Sequence, residues 1–415
     1  MRNLYSLLIT LALPFIAVRL WWRARRQPAY LEHVGERFGF YDKQTAPAPL
    51  IWLHAVSAGE TRAAEPLVQA LLARYPEYHI LLTHMTPTGR EAGVAIFPTG
   101  TSRVTRCYLP YDYPGAVARF LAHFKPRAGV LMETEIWPNL VHVCKARGIP
   151  LYLVNARLSE KSCSGYQRIG SLTTATLRAL TAIAAQSADD ARRFEALGAT
   201  NVTVTGNLKF DVAPSAVQRA LGEHLREGFG SRRVLLAAST RDGEENMLIN
   251  NKLHDLSNAL LVIVPRHPQR FDAVAALLDQ HHIPYQRRSA NEAVRADTQV
   301  LLGDSMGEMT AYYAACDIAF IGGSLLPLGG QNLIEACALG KPVLIGPHTY
   351  NFAEASERAV TAGAAVRVMD GADLQRKAAA LLDNPKVTQR MGAAALAFSG
   401  EHQGATARLV ELIHF

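Results

Sequence analysis

The sequence predicts an α/β protein built from two doubly wound, parallel-sheet domains. Short apolar, β-branched runs alternate with helical stretches throughout, which is the pattern of strands joined by crossover helices. A polar, proline-containing break divides these runs into two series. The 415-residue chain is also longer than one hydrophobic core usually serves.

The first series is Leu50–His54, Ile80–Thr83, Gly129–Met132, Leu151–Asn155, Ala182–Ala185 and Val202–Thr205, and the second is Val234–Ala237, Leu260–Val264, Val300–Leu302, Ile318–Ile321 and Val343–Ile345. Between them, Gly206–Ser215 reads as the interdomain linker. The expected organisation is an anchor helix over 1–22, a first domain over 23–208, a second over 209–395, and a last helix over 396–415 that crosses back toward the first domain.

Composition is ordinary for a globular protein, with 49% hydrophobic and 19% charged residues. The formal charge of +7 raises the question of nucleic acid. Residues 1–43, however, hold seven Arg or Lys against three acids, so more than half of the excess is N-terminal and no nucleic-acid surface is indicated. The same region carries an apolar run, Leu4–Leu20, followed by Trp21 and Trp22. At ~1.5 Å per helical residue, Leu4–Trp22 spans roughly 28 Å, about one hydrocarbon core. The paired tryptophans suit the headgroup zone, and Arg23, Arg25 and Arg26 just beyond them are a positive-inside signal that keeps the rest of the chain cytoplasmic. A cleaved signal peptide does not fit, because the charge follows the apolar run and no small-residue cleavage site appears. A buried or interfacial first helix is the alternative, since Pro14 and Arg19 weaken a span.

In open parallel sheets, ligands bind beyond the carboxyl ends of the strands. After Leu50–His54 comes Ala55-Val56-Ser57-Ala58-Gly59-Glu60, in which Gly59 permits close approach and Glu60 is a candidate general base. A first-turn glutamate that complements the helix dipole is the competing reading. After Gly129–Met132 comes Glu133-Thr134-Glu135-Ile136-Trp137-Pro138-Asn139. The chain lacks the Asp-x-Asp of metal-dependent sugar transferases, so Glu133 is assigned a hydrogen-bonding or electrostatic role and no metal is expected. Lys209, in the linker, is placed to meet an anionic sugar or leaving phosphate.

The loops of the second half are richer. Ser239 and Thr240 follow the first strand and are candidate phosphate contacts at a helix start. Pro265-Arg266-His267-Pro268-Gln269-Arg270 brings two guanidiniums and an imidazole to one strand end, a cluster suited to oxyanions. Asp304-Ser305-Met306-Gly307-Glu308-Met309 can present backbone groups to a base. In Gly322–Glu335 (GGSLLPLGGQNLIE), glycines permit ligand approach, Asn332 caps a helix ending before Gly340, and Glu335 is a candidate partner for ribose hydroxyls. Together these loops assign a nucleotide site to the second half. Cys107, Cys144, Cys163, Cys316 and Cys337 show no metal or disulfide spacing and read as reduced structural thiols.

Taken in order, HAVSAGE, METEIWPN, NARLS, GNLKFD, the Ser-Thr loop, VPRHPQRF, GDSMGEM, GGSLLPLGGQN and GPHTYNF, with the apolar N-terminus, resemble the bacterial transferases of 3-deoxy-D-manno-octulosonic acid (Kdo) in lipopolysaccharide synthesis. The resemblance covers nearly the whole chain. It implies a GT-B fold, two Rossmann-like domains facing a central cleft, and an inverting, metal-independent transfer of Kdo from CMP-Kdo to a tetra-acylated lipid A precursor at the cytoplasmic face of the inner membrane. It further implies Glu60 as base, Glu133 and Lys209 as transition-state stabilisers, and Pro265, Arg266, Met306, Gly307, Glu308, Asn332, Leu333, Ile334 and Glu335 at CMP, with Ser239, Thr240, His267 and Arg270 as further contacts. The sequence departs from the family at Ala58 (commonly valine), at Arg241 and Gln331 (usually histidine), and at Ala336-Cys337. An enzyme using another nucleotide sugar, or a catalytically inactive membrane-attached binding protein, are the alternatives.

Overall fold

The structure, a computed structural model, describes residues 1–25, 27–42, 49–98, 102–213 and 215–415. Arg26, Lys43 and Pro214, used in the sequence reading, lie outside the described residues.

The chain divides into two units, one formed by Met1–Val212 with Gln403–Phe415 and the other by Ala213–His402. Lys209 therefore belongs to the first unit. The first holds a seven-stranded parallel sheet of β1 (Leu50–His54), β2 (His79–His84), β3 (Val104–Tyr108), β4 (Ala128–Met132), β5 (Leu151–Ala156), β6 (Ala182–Ala185) and β7 (Val202–Val204), in the order β3-β2-β1-β4-β5-β6-β7. Its central strands are apolar on both sides because helices cover both faces. Within β1, Leu50 and Trp52 enter one core cluster while Ile51 and Leu53 enter the other, as the two-residue strand period requires. The last helix, Ala405–Leu412, adds Ala405, Leu409 and Val410 to the second of these clusters. Its start is capped by Asp211, which accepts from the Gly404 N–H at 2.7 Å and the Thr406 N–H at 2.5 Å.

The second unit repeats the plan with β8 (Arg233–Thr240), β9 (Ala259–Pro265), β10 (Tyr285–Arg287), β11 (Val300–Leu302), β12 (Ile318–Ile321), β13 (Val343–Ile345) and β14 (Ala365–Arg367), ordered β10-β11-β9-β8-β12-β13-β14. In the first sheet the chain winds outward from β1 to β3 and then returns to wind the other way from β4; in the second it does the same from β8, except that β10 takes the edge and β11 inserts between it and β9. The reversal falls between β1 and β4 in the first unit and between β8 and β12 in the second.

The N-terminal helix runs from Arg2 to Ala24, and by length and apolarity it is sufficient to cross a membrane. One face nevertheless lies against the first unit along its whole length, with Tyr5, Ser6, Ile9, Leu13 and Ile16 half-buried and Leu20 and Ala24 buried.

Candidate active site

Glu60 stands at the reversal point of the first sheet, in the first turn of the helix Ala58–Arg74 that follows β1. Ser57 is the N-cap, its hydroxyl accepting from the Glu60 N–H at 3.4 Å, and Glu60 reaches back as in a capping box but to the N–H one residue earlier. The Glu60 carboxylate accepts from the Val56 N–H at 2.8 Å and from the Ser57 hydroxyl at 3.0 Å. Burial, followed by the negative charge of Glu133, outweighs these donors and raises the Glu60 pKa to about 7. A carboxylate that titrates at neutral pH is matched to proton abstraction there. The adjacent Gly59 is exposed, and a Cβ at that position would meet only Ser57 Oγ at 3.9 Å. Packing does not require a glycine here, although glycine weakens a helix.

Glu133 ends β4 across the reversal point, with a left-handed φ of 56° that is costly for a glutamate. It is buried, and its two carboxylate oxygens are held separately, by Lys209 Nζ at 3.0 Å and by Arg157 Nε at 3.0 Å. Burial alone would raise its pKa, but the two cations together prevail and lower it. Lys209 is placed by a short turn, Leu208–Phe210, in which Asn207 Oδ1 accepts from the Lys209 N–H and Asn155 Oδ1 from the Leu208 N–H, each at 3.0 Å. Glu135 accepts from Trp137 Nε1 at 2.7 Å and lies 4.0 Å from His54 Nε2. His54 is neutral, its pKa pushed down to about 3 by burial and then by His84.

In the second unit the loops after β8 and β12 meet at the reversal point through Glu244. This fully buried carboxylate accepts from the backbone N–H of Gly323 at 2.6 Å, Arg241 at 3.0 Å and Leu325 at 3.1 Å. It holds the glycine loop against β8 so closely that a Cβ on Gly322 would stand 2.4 Å from Ser239 O. Thr240 is buried and donates to Glu245 at 2.9 Å, and Arg270 pairs with Asp242 and Glu245 at 2.8 and 3.3 Å. Thr240 and Arg270 are thus engaged in the frame of the loop, while Ser239 turns it with a φ of 56°. Pro265 closes β9, leaving Arg266 and His267 exposed beyond it. Burial, then Arg241 and Arg266, lower the His267 pKa, which locates a cationic group at this strand end.

Met306 and Gly307 form an exposed turn after β11, flanked by Glu308, which accepts from Ser305 at 2.6 Å and pairs with Arg288 at 3.3 Å. Asn332 Oδ1 accepts from the Ile334 N–H at 3.1 Å, and its amide donates to Glu335 at 2.9 Å, but the N-cap of the helix Ile334–Ala338 is Leu333, which has no side-chain cap bond, so Asn332 orients Glu335 from one residue before the cap the sequence assigned to it. Leu333 and Ile334 are buried and offer only backbone to a ligand. Arg157 and Glu244 were not singled out from the sequence. Arg157 sits in the NARLS stretch just past β5, and Glu244 in the loop read for its hydroxyls, so strand-end position was the available signal for both. Among the described residues, no group of three or more His, Cys, Asp or Glu is placed to hold a metal.

Residues 32–212 match the family model of 3-deoxy-D-manno-octulosonic-acid transferase, and residues 257–398 that of glycosyl transferases group 1. The chain is 45% identical to 3-deoxy-D-manno-octulosonic acid transferase of Bordetella pertussis, an alignment covering 99% of this chain and 98% of that protein. It is 38% identical to the enzyme of the same name from Haemophilus influenzae over the same shares. In fold it is similar to UDP-GlcNAc 2-epimerase from Neisseria meningitidis, with a TM-score of 0.61 at 15% identity over 88% of this chain and 99% of that one.

Proposed function

The chain belongs to the Kdo transferase family, and from that premise we propose how its own residues carry out transfer from CMP-Kdo to a lipid A precursor. It is a glycosyltransferase of two parallel-sheet α/β domains acting in lipopolysaccharide core biosynthesis. The second unit binds the CMP portion of the donor. Arg266 and His267 meet the phosphate, the Met306–Glu308 turn offers backbone to the base, and Glu335, oriented by Asn332, accepts from the ribose. The first unit activates the tetra-acylated acceptor.

Glu60 takes the proton from an acceptor hydroxyl as its oxygen attacks the anomeric carbon of Kdo. The bond from that carbon to the phosphate oxygen breaks, and CMP leaves with the electron pair. A single displacement of this kind inverts the centre and requires no covalent sugar–enzyme intermediate. The observation that carries the reading is the pairing of a neutral-range Glu60 with an ionised Glu133 at one reversal point. The approach left open at Gly59 supports it. Lys209 and Arg157 supply the positive charge beside Glu133 that a metal supplies elsewhere, and on this basis we infer a metal-independent reaction. The apolar N-terminal helix supports attachment to the inner membrane at its cytoplasmic face, where the acceptor is a lipid.

The test is to incubate the full chain with a tetra-acylated lipid A precursor and either CMP-Kdo or UDP-sugars, and to weigh the products. A mass gain of Kdo with CMP-Kdo alone supports the reading. Gain from a UDP-sugar, or an epimerised nucleotide sugar, refutes it.

A further inference from the structure

The helix Arg2–Ala24 has two faces, and the first unit covers only one. The other exposes Leu4, Leu8, Leu11, Phe15, Val18 and Trp22 at helical spacing. A helix docked on a folded domain along its whole length cannot stand upright in a bilayer without drawing that domain's polar backbone and side chains into hydrocarbon. An apolar stripe beside a docked face, ending in Trp and Arg, instead fits a helix lying in the plane of a lipid surface.

The docking is polar as well as apolar. Tyr5 Oη donates to Asp112 Oδ2 at 3.0 Å, and Ser6 Oγ to Asn139 Oδ1 at 2.7 Å. Both acceptors belong to one buried cluster at the start of the helix Pro138–Ala146. That helix has no side-chain cap at Trp137, and its first residue is proline. Asp112 serves in place of the cap, accepting from the Asn139 N–H at 3.0 Å and the Leu140 N–H at 2.8 Å, while its backbone oxygen accepts from Asn139 Nδ2 at 2.8 Å. The residues that lead into this helix are Glu133–Trp137, the acid loop itself. The N-terminal helix also packs against the helix Pro138–Ala146, into which the acid loop leads.

We propose that Asp112 and Asn139 are positioning residues that latch the lipid-facing helix to the end of the acid loop, so that seating this helix on a lipid surface fixes where Glu133 and Glu135 stand. The inference rests on the catalytic reading of those acids. Removing the latch leaves the apolar stripe intact but frees the loop, and misplacement of catalytic groups by about 1 Å can cost up to a hundredfold.

The test uses the full chain carrying Tyr5→Phe and Ser6→Ala together, on phosphatidylethanolamine vesicles containing phosphatidylglycerol and lipid A precursor. The variant should sediment with vesicles as wild type does, melt within a few degrees of it, and keep its KM for CMP-Kdo. Its kcat should fall by about ten- to a hundredfold. The acid limb of its kcat–pH profile should move down, because Glu133 and Glu135 both raise the Glu60 pKa. Asp112→Asn, which keeps the shape but faces an amide toward one of three donors, should show the same shift in pH profile. An unchanged kcat and pH profile in both variants would overturn the proposal, leaving the helix as a tether only, whether or not vesicle binding changed. Glu60→Gln, run alongside, separates the two claims. If it is inactive while the latch variants are normal, only the latch fails; if it is active, the catalytic reading fails first.

Discussion

Replacing Glu60 with glutamine separates two roles that the geometry gives to one side chain. As a capping residue, Glu60 accepts from the Val56 N–H and the Ser57 hydroxyl. Glutamine can keep its oxygen on Val56 N–H and donate its amide to Ser57 Oγ, so the cap weakens rather than disappears. Exchanging a charged acceptor for a neutral one costs about 1 kcal/mol, or ~2–4 °C in a domain of this size. As a base, glutamine has no function near neutrality, and loss of a general base typically costs about 10² to 10⁴ in rate. The wild-type pH profile provides a second reading. With a folded pKa of about 7, Glu60 is ionised in roughly a tenth of molecules at pH 6 and nearly all at pH 8, so kcat should rise through this window and then level. The same shift acts oppositely on stability: the folded pKa is raised, so the contribution is present below the ordinary carboxylate range and lost as pH rises through 7. The assay is Kdo transfer to lipid A precursor followed by mass spectrometry from pH 5.5 to 8.5, with melting temperatures and CMP calorimetry on the same samples. A glutamine variant that turns over at near wild-type speed would show that Glu60 is a cap alone.

Further outcomes follow from the other contacts. Lys209→Met leaves Glu133 with Arg157 as its charged partner, so the Glu133 pKa should rise and kcat fall at least tenfold, most at the acid end of the profile; an unchanged profile would mean that Lys209 is not needed to keep Glu133 ionised. Glu244→Ala frees three backbone N–H groups in the glycine loop and should destabilise the second unit by about 3 kcal/mol and weaken CMP binding, which thermal unfolding and calorimetry would detect. Glu335→Ala should weaken CMP binding by roughly 1.5 to 3 kcal/mol, the range for a charged hydrogen bond; unchanged affinity would move the ribose elsewhere. Incubation with EDTA should leave the rate near its starting value, and loss restored by magnesium would make Glu133 and Glu135 ligands.

The strands visible in the sequence are the buried ones together with the edge strand β7, whose residues are half-buried or exposed. The three that it did not reveal, β3, β10 and β14, are all edge strands. Each carries an arginine, Arg106, Arg287 or Arg367, and an edge position admits such residues because one side of the strand lacks a partner. An apolar-run criterion finds the central strands and the arginine-free edge strand β7, and passes over the three edges that carry a charge. The site followed the same logic. Glu60, Glu133 and the glycine loop were legible because they directly follow central strands. Lys209 is legible as a linker cation for an anionic sugar or phosphate, but its pairing with Glu133 is not, because the two lie 76 positions apart in sequence. Arg157 was missed for the same reason, since nothing local tells an arginine after a strand that its carboxylate stands on the next strand. The N-terminal helix is apolar enough to be read as a span, and only tertiary contacts show that Tyr5 and Ser6, two of the residues interrupting its apolar run, are the ones that dock it.

The two units also show why a motif alone could not decide what Glu60 does. Each unit places a glutamate in the first helical turn after the first strand of its sheet, Glu60 after β1 and Glu244 after β8, and both carboxylates accept hydrogen bonds from backbone N–H groups. Glu244 is fully buried, and all three of its bonds go to backbone, two of them to the loop beyond the neighbouring strand β12. Nothing external can reach it, so it is a clamp. Glu60 bonds only to its own turn, remains partly exposed beside an exposed glycine, and has Glu133 as a charged neighbour. Burial raises the pKa of both, but only Glu60 joins a raised pKa to a route for a substrate proton. Glu133 completes the contrast, since its two cations keep it ionised where Glu60 titrates. Two carboxyl groups pushed to opposite sides of their ordinary value at one strand-end crevice is the arrangement that divides labour between a proton acceptor and a fixed charge. At the reversal point of the second unit, among the described residues, Glu244 and Glu245 are instead both engaged by the loops they hold.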